Sequence, residues 1–318
     1  MKIYTVIVAA GKGSRMNSMH SKLIQKIYGK EMITRVVETA EKIGSDEIIT
    51  VVGYKKEEVM EVLKDKKVSY AIQSEQLGTG HAVIQAMPFL ENKEEGKVIV
   101  LYGDVPIVRP ETISGLIEKN IKAKEAATIL TAIYENPTGY GRIIRDEGGS
   151  VESIKEEKEA NERQRLIKEI NGGIYCFDLS KLKEALKEIK PDNEQDEYYL
   201  TDVIKILNQK AYRTGAYIVK DNTEILGVNN RIQLEMVTRI LRKRINDMHM
   251  SNGVSIEDST NTYIEENVEI GQDTIIAPNT YIKEGAKIGK RCEIGYNSYI
   301  SGDANIPDGE TLEPFSRV

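Results

Sequence analysis

This sequence of 318 residues predicts a large α/β domain, a linking helix and a short parallel β-helix. Three observations support this prediction. Strand and helix patterns alternate over residues 2–105, an amphipathic pattern spans residues 230–248, and an aliphatic residue recurs every six positions from Ile264 onward. The predicted domains are therefore residues 1–229, the linking helix 230–250, and the β-helix 251–318.

The first part of the chain alternates between buried-strand runs and helical apolar spacing. Strand patterns cover Ile3–Ala9, Glu47–Gly53, Val68–Ile72 and Lys97–Tyr102, and helical patterns cover Met32–Ile43, Lys56–Leu63 and His81–Met87. Such alternation builds a parallel sheet with helices on both faces, and ligands bind at the carboxyl ends of its strands.

Beyond Ala126 the pattern changes to strands separated by turn signals. Strands are predicted at Ala127–Tyr134, Gly141–Arg145 and Ile170–Asp178, and a helix at Leu179–Ile189. We expect this region to extend the sheet and to form the second wall of a ligand site.

The linking helix has an apolar face and a basic face. The apolar face comprises Leu234, Val237, Leu241, Ile245 and Met248, and the basic face comprises Arg239, Arg242, Lys243 and Arg244. A basic face can bind an acidic surface, but a solvated helix face is the favoured interpretation.

Ten aliphatic residues lie six positions apart after the linking helix: Ile264, Ile270, Ile276, Ile282, Ile288, Ile294, Ile300, Ile306, Leu312 and Val318. The residue two positions before each is mostly small, as at Thr262, Ala286 and Ser298. A period of six is the signature of a parallel β-helix, in which each repeat forms one side and three sides make one turn. Residues 259–318 therefore supply about three turns.

Composition excludes several classes of function. A net charge of −6 does not provide the basic surface that nucleic acid requires. No apolar stretch approaches the ~20 residues of a membrane helix, and no signal segment precedes the first strand. The two cysteines, Cys176 and Cys292, are interpreted as buried reduced thiols, with a disulfide between them as the alternative. We expect a soluble, cytoplasmic protein.

A glycine-rich turn follows the first strand: Val8-Ala9-Ala10-Gly11-Lys12-Gly13-Ser14-Arg15-Met16, with Lys22 beyond it. Glycines allow backbone N–H groups to approach phosphate oxygens, while Arg15 and Lys22 supply positive charge. The turn matches neither the dinucleotide-binding nor the Walker pattern. The alternative is an ordinary connection between a strand and a helix.

A second turn, Gln73-Ser74-Glu75-Gln76-Leu77-Gly78-Thr79-Gly80-His81-Ala82, opens a helix whose free N–H groups can face a polar ligand. The Gln73 amide offers a donor and an acceptor, as a pyrimidine edge requires. His81, taken alone, is interpreted as structural.

Asp104 stands at the tip of a buried strand, in Leu101-Tyr102-Gly103-Asp104-Val105-Pro106. Mg²⁺ takes one or two protein oxygens and completes its shell with phosphate and water, so Asp104 fits a magnesium ligand. The alternative is an aspartate that begins a turn. Four further segments are weak individually: Gly139–Ile143, Lys155–Ala160, Glu169–Gly173 and Glu197–Asp202.

In this order and spacing the motifs resemble those of bacterial bifunctional N-acetylglucosamine-1-phosphate uridyltransferase/glucosamine-1-phosphate acetyltransferases. The glycine-rich turn departs from the family pattern only at Val8, Ser14 and Ser21. The resemblance covers essentially the whole chain. It implies a Rossmann-like (GT-A-like) nucleotidyltransferase domain with a mixed sheet, a linking helix, and a left-handed β-helix that trimerises.

The resemblance also implies an activity and a set of site residues. UTP and N-acetylglucosamine 1-phosphate would give UDP-N-acetylglucosamine, a precursor of peptidoglycan, and pyrophosphate, with Mg²⁺ as cofactor. Arg15 and Lys22 are the implied catalytic residues, and Asp104 with Asn229 of Gly227-Val228-Asn229-Asn230-Arg231 would hold the metal. Nucleotide contacts are implied for Ala9, Ala10, Gly11, Gly13, Gln73, Gly78 and Thr79, and sugar contacts for Gly141, Glu156, Asn171, Tyr199 and Thr201.

Two alternatives compete with this hypothesis: the same chemistry on another sugar or nucleotide, and a non-catalytic scaffold that assembles through the β-helix. The family's β-helix is much longer, and its acetyl-transfer residues lie in turns beyond Val318. We therefore expect a truncated β-helix without acetyltransferase activity, serving to form a homo-oligomer, most simply a trimer. Recruitment of a separate acetyltransferase is the alternative role.

Overall fold

The computed structural model describes residues 1–193 and 195–318, which divide into two compact units. The first unit comprises Met1–Gln25 and Glu31–Arg231, and the second comprises Lys26–Lys30 and Ile232–Val318. The sequence predicts one boundary near residue 230. The structure shows in addition that the short segment Lys26–Lys30 belongs with the second unit.

The first unit alternates strands and helices along most of its length. Its strands are β1 (Ile3–Ala9), β4 (Glu47–Val52), β5 (Ser69–Ile72), β6 (Lys97–Tyr102), β7 (Ala127–Ile133), β8 (Arg142–Arg145), β9 (Val151–Lys155), β10 (Glu169–Asp178) and β11 (Thr214–Ile218). Its helices are α1 (Met32–Lys42), α2 (Lys56–Val62), α3 (Thr79–Leu90), α4 (Pro110–Ala123), α5 (Glu162–Arg165), α6 (Leu179–Leu186) and α7 (Asp202–Gln209). The short strands β2 (Lys26–Ile27) and β3 (Lys30–Glu31) pair with each other.

These strands form a mixed sheet in the order β11-β7-β10-β6-β1-β4-β5, with β8 and β9 attached beside β10. Strand β1 lies between β4 and β6 and is parallel to both. Strand β10 lies between β7 and β6 and is antiparallel to both, so it runs opposite to the strands on either side of it. The predicted α/β class with a mixed sheet is confirmed.

Two hydrophobic clusters cover the two faces of this sheet. Tyr4 and Val6 of β1 belong to the cluster that contains the buried residues of α3, α6 and α7. Ile7 and Ala9 belong to the other cluster, with the buried residues of α1, α2 and α4. Because side chains alternate along a strand, a strand with helices on both sides is expected to be mostly apolar, and β1 is apolar except at Thr5.

The second unit contains helix α8 (Arg231–Ser251) and a parallel β-helix. The β-helix strands are β12 (Ser255–Ile256), β13 (Tyr263–Ile264), β14 (Glu269–Ile270), β15 (Ile275–Ile276), β16 (Tyr281–Ile282), β17 (Lys287–Ile288), β18 (Glu293–Ile294), β19 (Tyr299–Ile300), β20 (Asn305–Ile306) and β21 (Thr311–Leu312). They form three parallel sheets, β12-β15-β18-β21, β13-β16-β19 and β14-β17-β20. The pairing of Ile264 with Ile282 and of Ile282 with Ile300 shows that three repeats complete one turn, as predicted.

The hexapeptide period is visible in both burial and backbone conformation. Ile264, Ile282 and Ile300 are fully buried, and so are the small residues two positions before the first two, Thr262 and Thr280. Corner residues with positive φ follow the same spacing of six, with position 303 missing from the series: Asn267, Asp273, Asn279, Gly285, Arg291, Asn297, Gly309 and Phe315. Gly, Asn and Asp adopt this left-handed conformation most readily, which explains most of the residues at these corners.

A column of aromatic rings runs along one side of the β-helix. Tyr263, Tyr281 and Tyr299 stack with ring centroids 5.9 and 6.1 Å apart, and Tyr28 of the segment Lys26–Lys30 stacks on Tyr263 at 6.2 Å. The buried carboxylate of Glu265 accepts a hydrogen bond from the Tyr281 hydroxyl at 2.7 Å. The stacking of Tyr28 on Tyr263 is one contact that joins this segment to the second unit.

Helix α8 departs from the prediction at three positions. Its buried series is Val237, Leu241, Ile245 and His249, each four residues apart, whereas Met248 is exposed. The Arg242 guanidinium, expected to be solvated, lies 4.9 Å from the centroid of the Tyr263 ring. Arg239 and Lys243 form ion pairs along the helix with Glu235 and Asp247, which agrees with a solvated face. Within the described residues, no helix is long and apolar enough to span a lipid bilayer.

Candidate active site

The glycine-rich turn lies at the carboxyl end of β1, where Ala9 and Ala10 are buried. Gly13 has φ +60°, and a Cβ atom there would lie 2.8–2.9 Å from side-chain carbons of Lys22. Glycine is therefore required at this position both by the backbone conformation and by the packing of the lysine side chain. As a result, the turn fixes the position of the Lys22 side chain.

Lys22 contacts both predicted metal ligands. Its Nζ lies 2.5 Å from Oδ2 of Asp104 and 3.1 Å from Oδ1 of Asn229. Both Lys22 and Asp104 are largely buried, with side chains 11% and 20% exposed. Residues from positions 22, 104 and 229, predicted from separate motifs, thus form one polar cluster at the carboxyl ends of β1 and β6.

The donor set of this cluster fits a hard divalent cation. The Asp104 carboxylate and the Asn229 amide oxygen already converge on one positively charged group, the Lys22 ammonium. Among the described residues there is no group of three or more His, Cys, Asp and Glu side chains that could hold a metal. Mg²⁺ needs only one or two protein oxygens when phosphates and water complete its shell, so Asp104 and Asn229 suffice.

Arg15 lies on the 3₁₀ turn Ser14–Met16 that follows Gly13. Met16 is buried and anchors the turn, whereas the Arg15 side chain is exposed to solvent. The structure thus places a cation on the loop that carries Gly11 and Gly13, in a position open to a ligand.

The predicted base-reading residue Gln73 is buried, and its amide orientation is fixed by neighbouring groups. Its Nε2 donates to the carbonyl oxygen of Gly78 at 3.0 Å and lies 3.1 Å from Nδ1 of His81. A carbonyl oxygen only accepts hydrogen bonds, so Nε2 must face Gly78 and Oε1 is the atom of this amide that can accept from a ligand. His81, which also contacts Gln85, holds this arrangement and has the structural role expected for it.

Gly78 and Thr79 form the start of helix α3. Gly78 has φ +105°, and a Cβ atom there would lie 2.5 Å from the carbonyl oxygen of Tyr198. The Thr79 Oγ1 accepts a hydrogen bond from the backbone N–H of Leu200 at 3.2 Å. The turn after β5 is therefore held against the segment around residues 198–200, which carries the predicted sugar-binding residues Tyr199 and Thr201.

A cavity of about 290 Å³ lies beside these residues. Four of the five predicted sugar-binding residues line it, namely Glu156, Asn171, Tyr199 and Thr201, together with Thr79 of the predicted nucleotide-binding residues. The other lining residues are Tyr102, Gly139, Glu157, Lys158, Glu159, Tyr175, Gln195 and Glu197. The fifth residue, Gly141, adjoins it, because a Cβ atom there would lie 3.5 Å from both Asn171 and Glu156. Motifs that are weak individually therefore meet at one cavity.

The polar groups of the cavity are oriented by hydrogen bonds within the protein. Asn171 lies at a bulge in β10, and its Nδ2 donates to the Tyr175 hydroxyl at 2.8 Å while its Oδ1 accepts from Gly173 N at 3.0 Å. Burial raises the pKa of the Glu156 carboxyl above its usual range, and the Thr201 hydroxyl donates to it at 3.3 Å. Burial also raises the pKa of Tyr199 to about 12, so its hydroxyl stays protonated.

The cavity includes aromatic residues that the motifs did not identify. Tyr102, at the end of β6, lines the cavity together with Thr79. Tyr175 orients Asn171 and lies on the same strand, four residues further on. The period of two along the predicted strand could have placed Tyr175 and Asn171 on one face. Tyr102 precedes Asp104 by only two residues, so the cavity and the Lys22 cluster are adjacent.

Comparison with known proteins identifies the family of this chain. The Nucleotidyl transferase family matches residues 4–262, and the Bacterial transferase hexapeptide (six repeats) family matches residues 267–302. The chain belongs to the Nucleotidyl transferase family.

Its relatives include the bifunctional protein GlmU of Caldanaerobacter subterraneus subsp. tengcongensis, 50% identical over 87% of this chain and 60% of that protein. The bifunctional protein GlmU of Clostridium perfringens is 48% identical over 86% of this chain and 60% of that protein. The resemblance found from the motifs is thus confirmed. This chain spans about 60% of the length of these relatives.

A solved structure of UDP-glucose pyrophosphorylase complexed with UDP-glucose has a TM-score of 0.62 and covers 77% of this chain and 100% of that one. At 20% identity, this similarity establishes a shared fold.

Proposed function

We propose that this protein transfers a uridylyl group from UTP to N-acetylglucosamine 1-phosphate, giving UDP-N-acetylglucosamine and pyrophosphate. The observation that carries this proposal is the adjacency of the Lys22–Asp104–Asn229 cluster and the polar cavity. A charged cluster suited to phosphates and a metal beside a hydroxyl-rich pocket fits the joining of a nucleotide to a sugar phosphate.

The choice of a uracil nucleotide rests on the fixed orientation of Gln73. Since Nε2 faces Gly78, Oε1 accepts a hydrogen bond from the base. Uracil has an N3–H donor at its pairing edge, whereas N3 of cytosine is an acceptor and cannot donate to Oε1. A site that loses a hydrogen bond rejects the analogue strongly. Thymine shares this edge, so Gln73 does not separate UTP from dTTP.

The choice of an acetamido sugar rests on Asn171 and Glu156. Both side chains line the cavity, and an amide beside a carboxylate suits the acetamido group and the hydroxyls of N-acetylglucosamine. The fixed contacts of Asn171 with Tyr175 and Gly173 hold its amide in one orientation and reduce the entropy lost when a sugar binds.

In the proposed mechanism, the phosphate of the sugar 1-phosphate attacks the α-phosphorus of UTP, and pyrophosphate leaves in line. A phosphate monoester dianion is itself a nucleophile, so the protein need not supply a general base. Arg15 and Lys22 neutralise phosphate charge, and the glycine-rich turn positions the triphosphate through backbone N–H groups. Mg²⁺, when held by Asp104 and Asn229, would supply further charge neutralisation on the phosphate oxygens.

A substrate panel tests this proposal by measuring pyrophosphate release. UTP, dTTP, CTP and ATP are each combined with N-acetylglucosamine 1-phosphate, glucose 1-phosphate and glucosamine 1-phosphate, in the presence and absence of Mg²⁺. We expect the highest kcat/KM for UTP with N-acetylglucosamine 1-phosphate, and CTP to be rejected by at least about 100-fold. Equal kcat/KM for the sugar phosphates would contradict the sugar assignment, and no release from any pair would favour a binding scaffold.

Three finer expectations accompany the proposal. Hexapeptide repeats support a homo-oligomer, and a trimer is the proposed form, which light scattering tests. A cytoplasmic location goes with the proposed use of nucleoside triphosphates. The expectation that this chain does not acetylate glucosamine 1-phosphate stays a prediction, tested by following thiol release from acetyl-CoA.

A further inference from the structure

The two proposed metal ligands lie on different loops of the first unit. Asp104 follows β6, and Asn229 follows the 3₁₀ turn Asn222–Ile225. One backbone hydrogen bond joins the loops directly, from Val228 N–H to the Asp104 carbonyl oxygen at 2.8 Å. The distance between the two ligand side chains depends on how firmly these loops are held together.

A buried carboxylate provides a second connection between the same loops. Glu224 is 2% exposed, and its Oε2 accepts a hydrogen bond from the backbone N–H of Arg109 at 3.0 Å. Arg109 lies five positions after Asp104, and Glu224 lies five positions before Asn229. The loop that begins at Asp104 and the loop that ends at Asn229 are thus joined at two points: by the hydrogen bond between Val228 and Asp104, and by the one between Arg109 and Glu224.

Glu224 is itself held in place by its surroundings. The following residue, Ile225, is buried, and the Tyr134 hydroxyl donates to the Asn222 carbonyl oxygen at 3.0 Å. The Arg109 guanidinium neutralises the acidic pair on this turn, with Nε 3.8 Å from Glu224 Oε1 and Nη2 3.2 Å from Asp221 Oδ2. Glu224 therefore connects a rigid turn beside β7 to the loop that begins at Asp104.

We propose that Glu224 is a positioning residue for the divalent cation: it holds the loops of Asp104 and Asn229 at the separation that the metal requires. This inference rests on the proposed function of the Asp104–Asn229 pair. Glu224 acts through the Arg109 backbone and does not contact the metal. Residues that hydrogen-bond a metal ligand directly change metal affinity by about 10–100-fold when they are removed; Glu224 acts one step further from the metal, so we expect the lower end of this range.

Two variants of similar size test the role of the acceptor oxygen. Glu224→Met removes it, whereas Glu224→Gln keeps an amide oxygen that can accept from Arg109 N–H. Mn²⁺ binding to each protein is measured by electron paramagnetic resonance with UTP present and the sugar phosphate absent, because phosphate oxygens complete the metal shell. We expect Glu224→Met to bind Mn²⁺ about 10-fold more weakly than the wild type and Glu224→Gln to stay within about 3-fold.

Activity provides a second readout. For Glu224→Met, the Mg²⁺ concentration that gives half-maximal pyrophosphate release should rise by about the same 10-fold, and saturating Mg²⁺ should restore most of kcat. A merely destabilising change would lower the yield of active protein without moving the Mg²⁺ dependence.

Glu125→Met is the matched control. Glu125 is also a buried carboxylate and binds Lys119 and Thr128, but it lies just before β7, at the opposite edge of the sheet from Asp104. Its variant should lose stability and keep wild-type Mn²⁺ affinity. The inference is overturned if Glu224→Met binds Mn²⁺ as the wild type does, or if Glu125→Met weakens binding equally. If Asp104→Asn leaves Mn²⁺ binding unchanged in a protein with intact Glu224, the metal assignment itself fails, and the inference with it.

Discussion

The two units of this protein use their buried residues in opposite ways. In the β-helix, Ile264, Ile282 and Ile300 occupy equivalent positions on successive turns, and each makes a similar contribution to the core. In the first unit, the site is formed by Lys22, Asp104 and Asn229, which come from distant parts of the chain and have no equivalent residues elsewhere in the site. Stability of the β-helix is therefore shared among equivalent residues, whereas the proposed activity depends on individual residues that no other residue can replace.

The largest effect is expected at Asp104. Asp104→Asn should lower kcat/KM by about 1000-fold, or ~4 kcal/mol, because loss of a metal ligand removes transition-state stabilisation of several kcal/mol. The melting temperature should change little, since asparagine has nearly the same size and keeps an oxygen that can accept a hydrogen bond from Lys22 Nζ. Asp46→Asn serves as the control, because Asp46 pairs with Lys2 at the opposite edge of the sheet. Near-normal turnover of Asp104→Asn at limiting Mg²⁺ would contradict the assignment.

In the β-helix, we expect substitutions to lower stability and to leave activity unchanged. Ile282→Ala and Ile300→Ala should each lower the free energy of unfolding of the second unit by about 2–5 kcal/mol, through lost burial and the cavity left behind. The two costs should be similar because the residues are equivalent, and kcat of the folded protein should be retained. Chemical denaturation with pyrophosphate release as a second readout checks this; a large difference between the two variants would contradict the equivalence.

A smaller effect is expected on sugar selectivity. Asn171→Ala should lower the preference for N-acetylglucosamine 1-phosphate over glucose 1-phosphate by about 10-fold, or ~1.4 kcal/mol, because one hydrogen bond to the acetamido group is lost. The ratio of the two kcat/KM values measures this directly. Asn208→Ala is the control, since the Asn208 amide is bonded to backbone carbonyls of Val151 and Glu152. An unchanged ratio in Asn171→Ala would remove Asn171 from the sugar site.

The smallest effect is expected on the free energy of unfolding, which the buried Glu156 carboxylate lowers at neutral pH. Burial raises the pKa of this carboxyl in the folded state, so the folded protein binds the proton more tightly than the unfolded chain does. The destabilisation by the ionised carboxylate is therefore absent below about pH 4.3, the pKa of this group in the unfolded chain. It grows as pH rises toward the pKa of the group in the folded protein, and it persists above that value. Glu156→Gln should thus raise the melting temperature modestly at pH 7 but not at pH 4, while lowering activity. A stabilisation that is the same at both values would refute this explanation.

Several elements of the fold could be predicted from local sequence because their geometry repeats along the chain. The strand Ile3–Ala9 is apolar on both faces, and the hexapeptide period maps directly onto the turns of the β-helix. Helices α4 and α7 had no predicted counterpart, although both are amphipathic and pack against the sheet. The α8 face was predicted with Met248 inside, whereas an interval of four from Val237 onward buries His249 instead.

Some features of the candidate site could likewise be predicted from the sequence, and others could not. The glycine-rich turn, the Gln73 turn and Asp104 were each predictable, because their function depends on backbone conformation and residue type near the end of a strand. The contacts of Lys22 with Asp104 and Asn229 were not, since they join residues more than 80 positions apart. The roles of Tyr102 and Tyr175 in the cavity also depend on neighbours from other segments.

By itself, the sequence determined the fold class, the repeat and the residue types of the site, because periodicity, glycine and charge act over short stretches of chain. Tertiary structure alone decided that the segment Lys26–Lys30 packs with the β-helix and that Glu224 connects the two ligand loops. These features depend on contacts between residues remote in sequence. A single sequence carries no periodic or local signal for such contacts, since they arise only when the strands of the sheet and the turns of the β-helix are assembled.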